Sequence, residues 1–269
     1  MSIVDFMEKN RLKNEFETIF TMPKFEYKKE IIAPPLSNNY SLVGIAFDYL
    51  FRFYMARNNK FIGRPWVSET TIDIISYMPD LKETMLEIID DAKIKYKKYL
   101  KDGKLTDDLL ISILKMAKLD QIKRSGGVFP LSFNFDKEDL DDLKNLYMII
   151  PNNIFKTKDL CFLNPTFGSA SLLVGGSDAD LIVGSMLIDI KTTKELKFTK
   201  KYLMQLVGYY ILSQIGGVDG AQKRIDINRL GIYYSRYGYL FYFSITDIVS
   251  FDDIEKFKEL FIDSAQGFC

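Results

Sequence analysis

One stretch of this chain, Ser177-Asp178-Ala179-Asp180-Leu181-Ile182-Val183-Gly184-Ser185-Met186-Leu187-Ile188-Asp189-Ile190-Lys191, puts four charges on an apolar hairpin pattern. Gly184-Ser185 fits a two-residue turn that needs glycine first. With that turn, Val183 faces Met186 and the pairing runs outward. Asp180 then lies opposite Asp189, and Asp178 opposite Lys191. A pleated strand repeats every two residues, so all four side chains share one face. Like charges directly opposed across two strands repel. A divalent cation is the simplest group to neutralise them, since Mg²⁺ is typically held by one or two carboxylates plus waters and substrate phosphates. The plainer alternative is a cross-strand salt-bridge cluster, which leaves one negative charge too many for Lys191 alone.

Asp-x-Lys by itself carries little information. It recurs at Asp91/Lys93, Asp102/Lys104 and Asp142/Lys144, with a Glu version at Glu195/Lys197. Those sit in polar or helical surroundings. Asp189 and Lys191 instead end a strand built from Met186, Leu187, Ile188 and Ile190, where an unpaired charge is destabilising. The chain has no histidine, so the usual general base is missing and chemistry would rest on carboxylates, Lys, Tyr or metal-bound water.

The elements around the hairpin read as follows. Val4 to Phe20 is helix-like, followed by an extended arm ending at Pro34-Pro35. Ser41 to Arg57 is apolar on all sides, which predicts a buried helix, with Asp48 and Arg52 four apart inside it. Residues 68–124 are helical and amphipathic, broken at Asp102-Gly103, with basic faces at Lys93 to Lys101 and Lys115 to Arg124. Asp136 to Ile149 is a further helix, ended by Pro151. Ala170 to Val174 reads as a strand that breaks at Gly175-Gly176. After the hairpin come a helix from Thr199 to Gln214, with Thr199 as N-cap, and two aromatic strands, Leu230–Ser235 and Tyr239–Ile245. A last helix runs from Asp252 to Phe261. This order predicts an α/β fold, a mixed central sheet flanked by helices. Residues 1–60 supply an arm and the first core helix, 61–150 a helical insertion or lobe, and 151–269 the sheet and its helices.

The segment Ser177-Asp178-Ala179-Asp180-Leu181 … Asp189-Ile190-Lys191-Thr192-Thr193 resembles the core motif of the PD-(D/E)XK nuclease superfamily. Asp180 matches its first Asp, Asp189 its second acidic residue and Lys191 its lysine, with Ala179 where the family name has Pro. Asp178 could replace Asp180 as ligand if the turn were looser. Gln205-Leu206-Val207-Gly208-Tyr209 is similar to the Gln-x-x-x-Tyr motif of the RecB-like and lambda-exonuclease-like branches. Gln205 and Tyr209, i and i+4, share one helix face. Gly44-Ile45-Ala46-Phe47-Asp48 stands where RecB-like nucleases carry Gly-x-x-x-His, so the resemblance makes Asp48 a third metal ligand. The alternative for Asp48 is an ion pair with Arg52.

The resemblance implies a restriction-endonuclease-like αβββαβ core and a Mg²⁺- or Mn²⁺-dependent nuclease, most plausibly on DNA, with exonuclease or endonuclease action left open. Asp180 and Asp189 would bind the metal, and Lys191 would steady the attacking hydroxide and the charge on phosphorus. Lys194, Lys197, Lys200 and Lys201 follow as phosphate contacts, although each alone also suits a solvated surface. The competing reading is a catalytically silent nuclease-like fold that binds nucleic acid or assembles with a partner. A third is a docking protein that uses its aromatic strands.

The charge balance, 36 basic against 36 acidic residues, argues against a general nucleic-acid coat but leaves room for a local basic cleft. Cys161 and Cys269 form neither a zinc spacing nor a disulfide framework. No signal-peptide core is seen, and no apolar run nears the ~20 residues of a membrane span. A cytoplasmic location is the expectation, with homo-oligomers or a partner on the 61–150 lobe as possibilities.

Overall fold

The computed structural model describes residues 2–71, 79–125 and 133–266. Among them six strands form one mixed sheet: β1 (Phe61–Gly63), β2 (Cys161–Leu163), β3 (Leu181–Val183), β4 (Met186–Lys191), β5 (Arg229–Tyr234) and β6 (Tyr239–Ser244), side by side in that order. β1–β2 and β4–β5 are parallel pairs; the other neighbours are antiparallel. The chain is α/β, as expected.

Helices cover both faces. Alternation along the strands sends Ile182, Leu187 and Ile232 to one face and Leu181, Ile188 and Tyr233 to the other. The first face packs against α1 (Ile3–Met7), α2 (Asn10–Ile19), α10 (Lys200–Gly216) and α11 (Phe251–Gln266). The second packs against α3 (Tyr40–Asn58), α6 (Asp107–Ser125) and α7 (Lys137–Met148). α3 is apolar all round because it is buried all round, with α5 (Pro79–Asp102), α6 and α7 against it. The Thr199 hydroxyl caps α10 by accepting from Tyr202 N, as its sequence position predicts. The expected break between α5 and α6 is present at Gly103, whose φ is +71°. No helix of the described residues is long and apolar enough to cross a membrane.

Three expectations need correction. Val4 to Phe20 is two helices rather than one, parted at Glu8-Lys9. Ala170–Val174 is not a strand: Ser169–Leu173 is a short helix, α9. Gly168, at φ +56°, turns the chain into it, and the Ser171 hydroxyl accepts from Phe167 N. Its apolar residues serve helical spacing, since Ala170 and Val174 are both buried. Phe61–Gly63, placed at the start of a helical lobe, is the edge strand β1, and β2 was not foreseen. Two short helices, α4 (Val67–Thr71) and α8 (Asn152–Phe155), and two 3-10 turns, Ser235–Tyr237 and Ile245–Asp247, complete the described elements. The side chains of Lys123 and Arg124, expected on a basic helix face, lie outside the described residues, as does Cys269.

Candidate active site

The hairpin forms in the expected register, Val183 on Met186 and Leu181 on Ile188. Gly184 takes φ +55°, the conformation that calls for glycine. One step past the ladder, Asp180 Oδ2 accepts from Ile190 N at 2.7 Å, which brings this carboxylate beside Asp189. Asp178 departs from expectation. It does not pair opposite Lys191 but bridges to Thr166, because the chain leaves the β4 edge before it.

A cleft of about 400 Å³ opens at this end of the sheet. Asp48, Asp178, Asp180, Asp189, Lys191 and Gln205 all line it, and Tyr209 stands behind them. Thus α3 contributes Asp48, the hairpin and the chain leading into it Asp178, Asp180, Asp189 and Lys191, and α10 Gln205 and Tyr209. Asp189 and Lys191 point to the α10 face by the same alternation that buries Leu187 there.

Lys191 is held from two sides. Its Nζ lies 2.8 Å from Asp189 Oδ2 and donates to Gln205 Oε1 at 2.9 Å. Gln205 Nε2 in turn donates to Tyr209 OH at 3.2 Å. The i, i+4 pair therefore positions the lysine from behind. Burial, then the charges of Asp189 and Asp180, holds the Tyr209 phenol well above its usual range, so it stays protonated.

The carboxylates are strained electrostatically. Burial, followed by the charges of Asp189 and Asp48, pushes the Asp180 pKa well above the carboxylate range. Burial raises that of Asp189 as well, against the pull of Lys191. Burial disfavours the Lys191 ammonium, but Asp189 and Asp180 outweigh it and raise its pKa. Two negative groups around one committed cation leave a local excess of negative charge.

The arrangement fits a small divalent cation. Asp48 Oδ1 is buried with no hydrogen-bond donor, and Asp189 Oδ2 has only the Lys191 ion pair, outside hydrogen-bond angles. Among the described residues, no three His, Cys, Asp or Glu side chains are gathered tightly enough to hold a metal by themselves. Two carboxylates completed by water and phosphate are the kind of site that suits Mg²⁺. Asp48 belongs to the cleft and also makes the alternative contact, its Oδ2 lying 2.6 Å from Arg52.

The lysine run is less free than expected. Lys197 pairs with Glu195, Lys200 with Glu17 at 3.1 Å and Lys201 with Glu8 at 3.3 Å. Lys194 alone turns toward the cleft, donating to Tyr40 OH at 2.9 Å over that ring. Exposed pairs of this kind are weak and screened by salt, so a phosphate can compete for them.

Sequence reasoning missed Asn164. It sits in the cleft wall at φ +50°, a left-handed conformation uncommon outside glycine. Its Nδ2 donates to Asp178 Oδ2, its backbone N–H donates to Asp180 O, and its Oδ1 is buried without a partner. The Asn164-Pro165 dipeptide was the available signal, since Asn tolerates this conformation and Asn-Pro favours turns. No protein-family model, curated protein or solved structure matches this chain.

Proposed function

We propose that the protein is a metal-dependent nuclease of the PD-(D/E)XK type, acting on DNA. One observation carries this reading: Asp180, Asp189 and Lys191 converge in a single cleft, with the lysine braced by Asp189 and Gln205. The succession α3, β2, β3, β4, α10, β5 supports the αβββαβ core that goes with it.

Asp180 and Asp189 would hold Mg²⁺ or Mn²⁺. When bound, the metal supplies positive charge at the scissile phosphate and lowers the pKa of water at the site. Lys191 keeps its proton, orients the attacking oxygen and offsets charge that builds on phosphorus. Gln205 fixes where that ammonium points, and Tyr209 fixes Gln205. Lys194 at the rim meets the backbone of the incoming strand.

A second reading is a nuclease-like fold that binds nucleic acid or a partner protein without cutting. It draws on the Arg52–Asp48 pair, which already occupies the third carboxylate.

Cleavage of linear and circular DNA and of RNA, with Mg²⁺, Mn²⁺ or EDTA, separates the two. Wild type should cut only with metal. Asp180→Asn, Asp189→Asn and Lys191→Ala should each lower the rate by about 10²-fold or more while staying folded. A folded variant that still cuts normally removes its residue from the mechanism. Metal-independent binding with no cutting of any substrate favours the second reading.

A further inference from the structure

A second cleft, about 460 Å³ in volume, lies beyond the acidic one. Phe53, Phe61, Trp66 and Tyr96 line it with ring carbon, and Arg64, Lys93 and Lys97 supply cations. Glu69 is the one acid in its wall, and Lys93 already pairs with it at 2.6 Å. Phe53 is buried and packs on Tyr96, ring centres 4.2 Å apart, with Trp66 5.4 Å from Phe53. These three rings form a fixed floor. Phe61 differs from them. It is 38% exposed, and its ring lies against Gly63, where an added Cβ would sit 3.4 Å from it. An exposed ring on an edge strand, with glycine beside it, is open to stacking.

The two clefts communicate. A third depression, lined by Asn164 and Asp178 at one end and by Arg64 and Pro65 at the other, shares residues with both. Between them, inside the protein, stands the Arg52–Asp48 pair: Asp48 lines the acidic cleft and Arg52 the aromatic one. A strand with a phosphate at Asp180 and Asp189 can therefore continue along the surface to Phe61 and Trp66.

We propose that the aromatic cleft captures an unpaired nucleobase of the substrate strand, with Lys97 on its phosphates, whereas Arg64 is held by Thr166 and Asp219. The substrate class is then single-stranded nucleic acid. This rests on the nuclease reading of the acidic cleft. The chemistry favours it because aromatic rings beside cations recognise a base that carries phosphate, whereas a paired base keeps its faces inside the stack. Aromatic stacking is also indifferent to which base is bound.

Trp66 is the chain's single tryptophan, so its emission reports on this cleft directly. The full-length protein is titrated in EDTA, which prevents cutting, with a DNA single strand of about ten nucleotides, within the usual site size. The same is done with its duplex, with an all-abasic strand and with a deoxynucleoside monophosphate. The single strand should quench Trp66, and the abasic strand should not. Phe61→Ala, an exposed site on an edge strand, should weaken the quench by about tenfold or more. Lys97→Gln, on an exposed helix face, should lower the slope of log K against log salt by about 0.7. An equal response to abasic strand or duplex, or no effect of Phe61→Ala, overturns the proposal. So does a monophosphate that binds more tightly than the strand, which would assign the cleft to a free nucleotide. Metal-dependent cutting with a silent Trp66 leaves the nuclease reading standing and removes this one. A base-dependent quench in a chain that cuts nothing keeps the cleft as a base site and removes the nuclease reading.

Discussion

Asp180, half-buried, and Asp189, buried, stand side by side and destabilise the metal-free chain, because each disfavours the other's charge and neither is well hydrated. Asn at position 180 keeps an oxygen for Ile190 N and removes one of those charges. Asp180→Asn should therefore raise the stability of the protein in EDTA, by about 0.5–2 kcal/mol, while abolishing cutting. The pH profile carries the same sign. In the unfolded chain an Asp titrates at about 3.9, and in the folded chain Asp180 titrates well above that. Between the two values the folded state binds more protons, so stability falls as pH rises and levels off past the folded pKa. Melting in EDTA across this window should show a falling midpoint for wild type and a shallower one for the variant. A wild-type midpoint that rises with pH more steeply than the variant's would contradict it. The trio Asp180, Asp189 and Lys191 was legible in the sequence because a two-residue turn and a period of two fix their relative places. Asn164 was not, since its role comes from a backbone angle and from partners 14 and 16 residues away.

Elements that carry the site were legible in proportion to their length. Seventeen residues of α10 and 19 of α3 give a pattern many turns long. Three-residue strands such as β1 and β2 give no period to read. Four apolar residues and one serine at 170–174 fit a strand or one helical turn equally well, and only Gly168 and the Ser171 hydroxyl decide for the helix. The same region fixes how closely α10 approaches. A Cβ at Gly216 would lie 1.9 Å from Phe167 O and 2.9 Å from the Ala170 Cβ. Neither neighbour is a flexible side-chain tip, so the loop carrying Asn164 and Thr166 must move. Gly216→Ala should cost about 2 kcal/mol or more in urea denaturation and also slow cutting. Unchanged stability would mean that this loop gives way freely.

Across the whole molecule, buried charges join the helices of 61–150 to the sheet. Arg236, at the corner between β5 and β6, donates to both Asp142 oxygens at 2.7 and 3.1 Å, and both side chains are almost fully buried. It also donates to Ala33 O, tying in the arm that leads to α3. Asp139, on the same helix as Asp142, accepts from Ser37 and Asn39 just before α3 begins. Sequence alone gives no sign of this pair, because its partners are 94 positions apart. Arg236→Met should destabilise by about 3–5 kcal/mol, since it leaves Asp142 buried without a counter-charge. Asp142→Leu added to it should restore part of that loss. A single-variant loss under about 1 kcal/mol would show that the pair is not a joint between lobe and sheet.

Strand order also sets a timetable for synthesis. Phe61 pairs with Cys161, one hundred positions further along the chain. At a usual elongation rate, about 5–20 residues per second, β1 waits about 5–20 s for β2, its neighbour among the described residues, to be made. Asp48 waits longer still for the hairpin that completes its cleft. During that interval the nascent polypeptide has helices to fold but no sheet to fold onto, and the apolar flanks of α3 depend on α5, α6 and α7 alone for cover. The order in which the ribosome releases these segments thus makes α5, α6 and α7 the first shelter of α3, before α3 becomes a wall of the finished cleft.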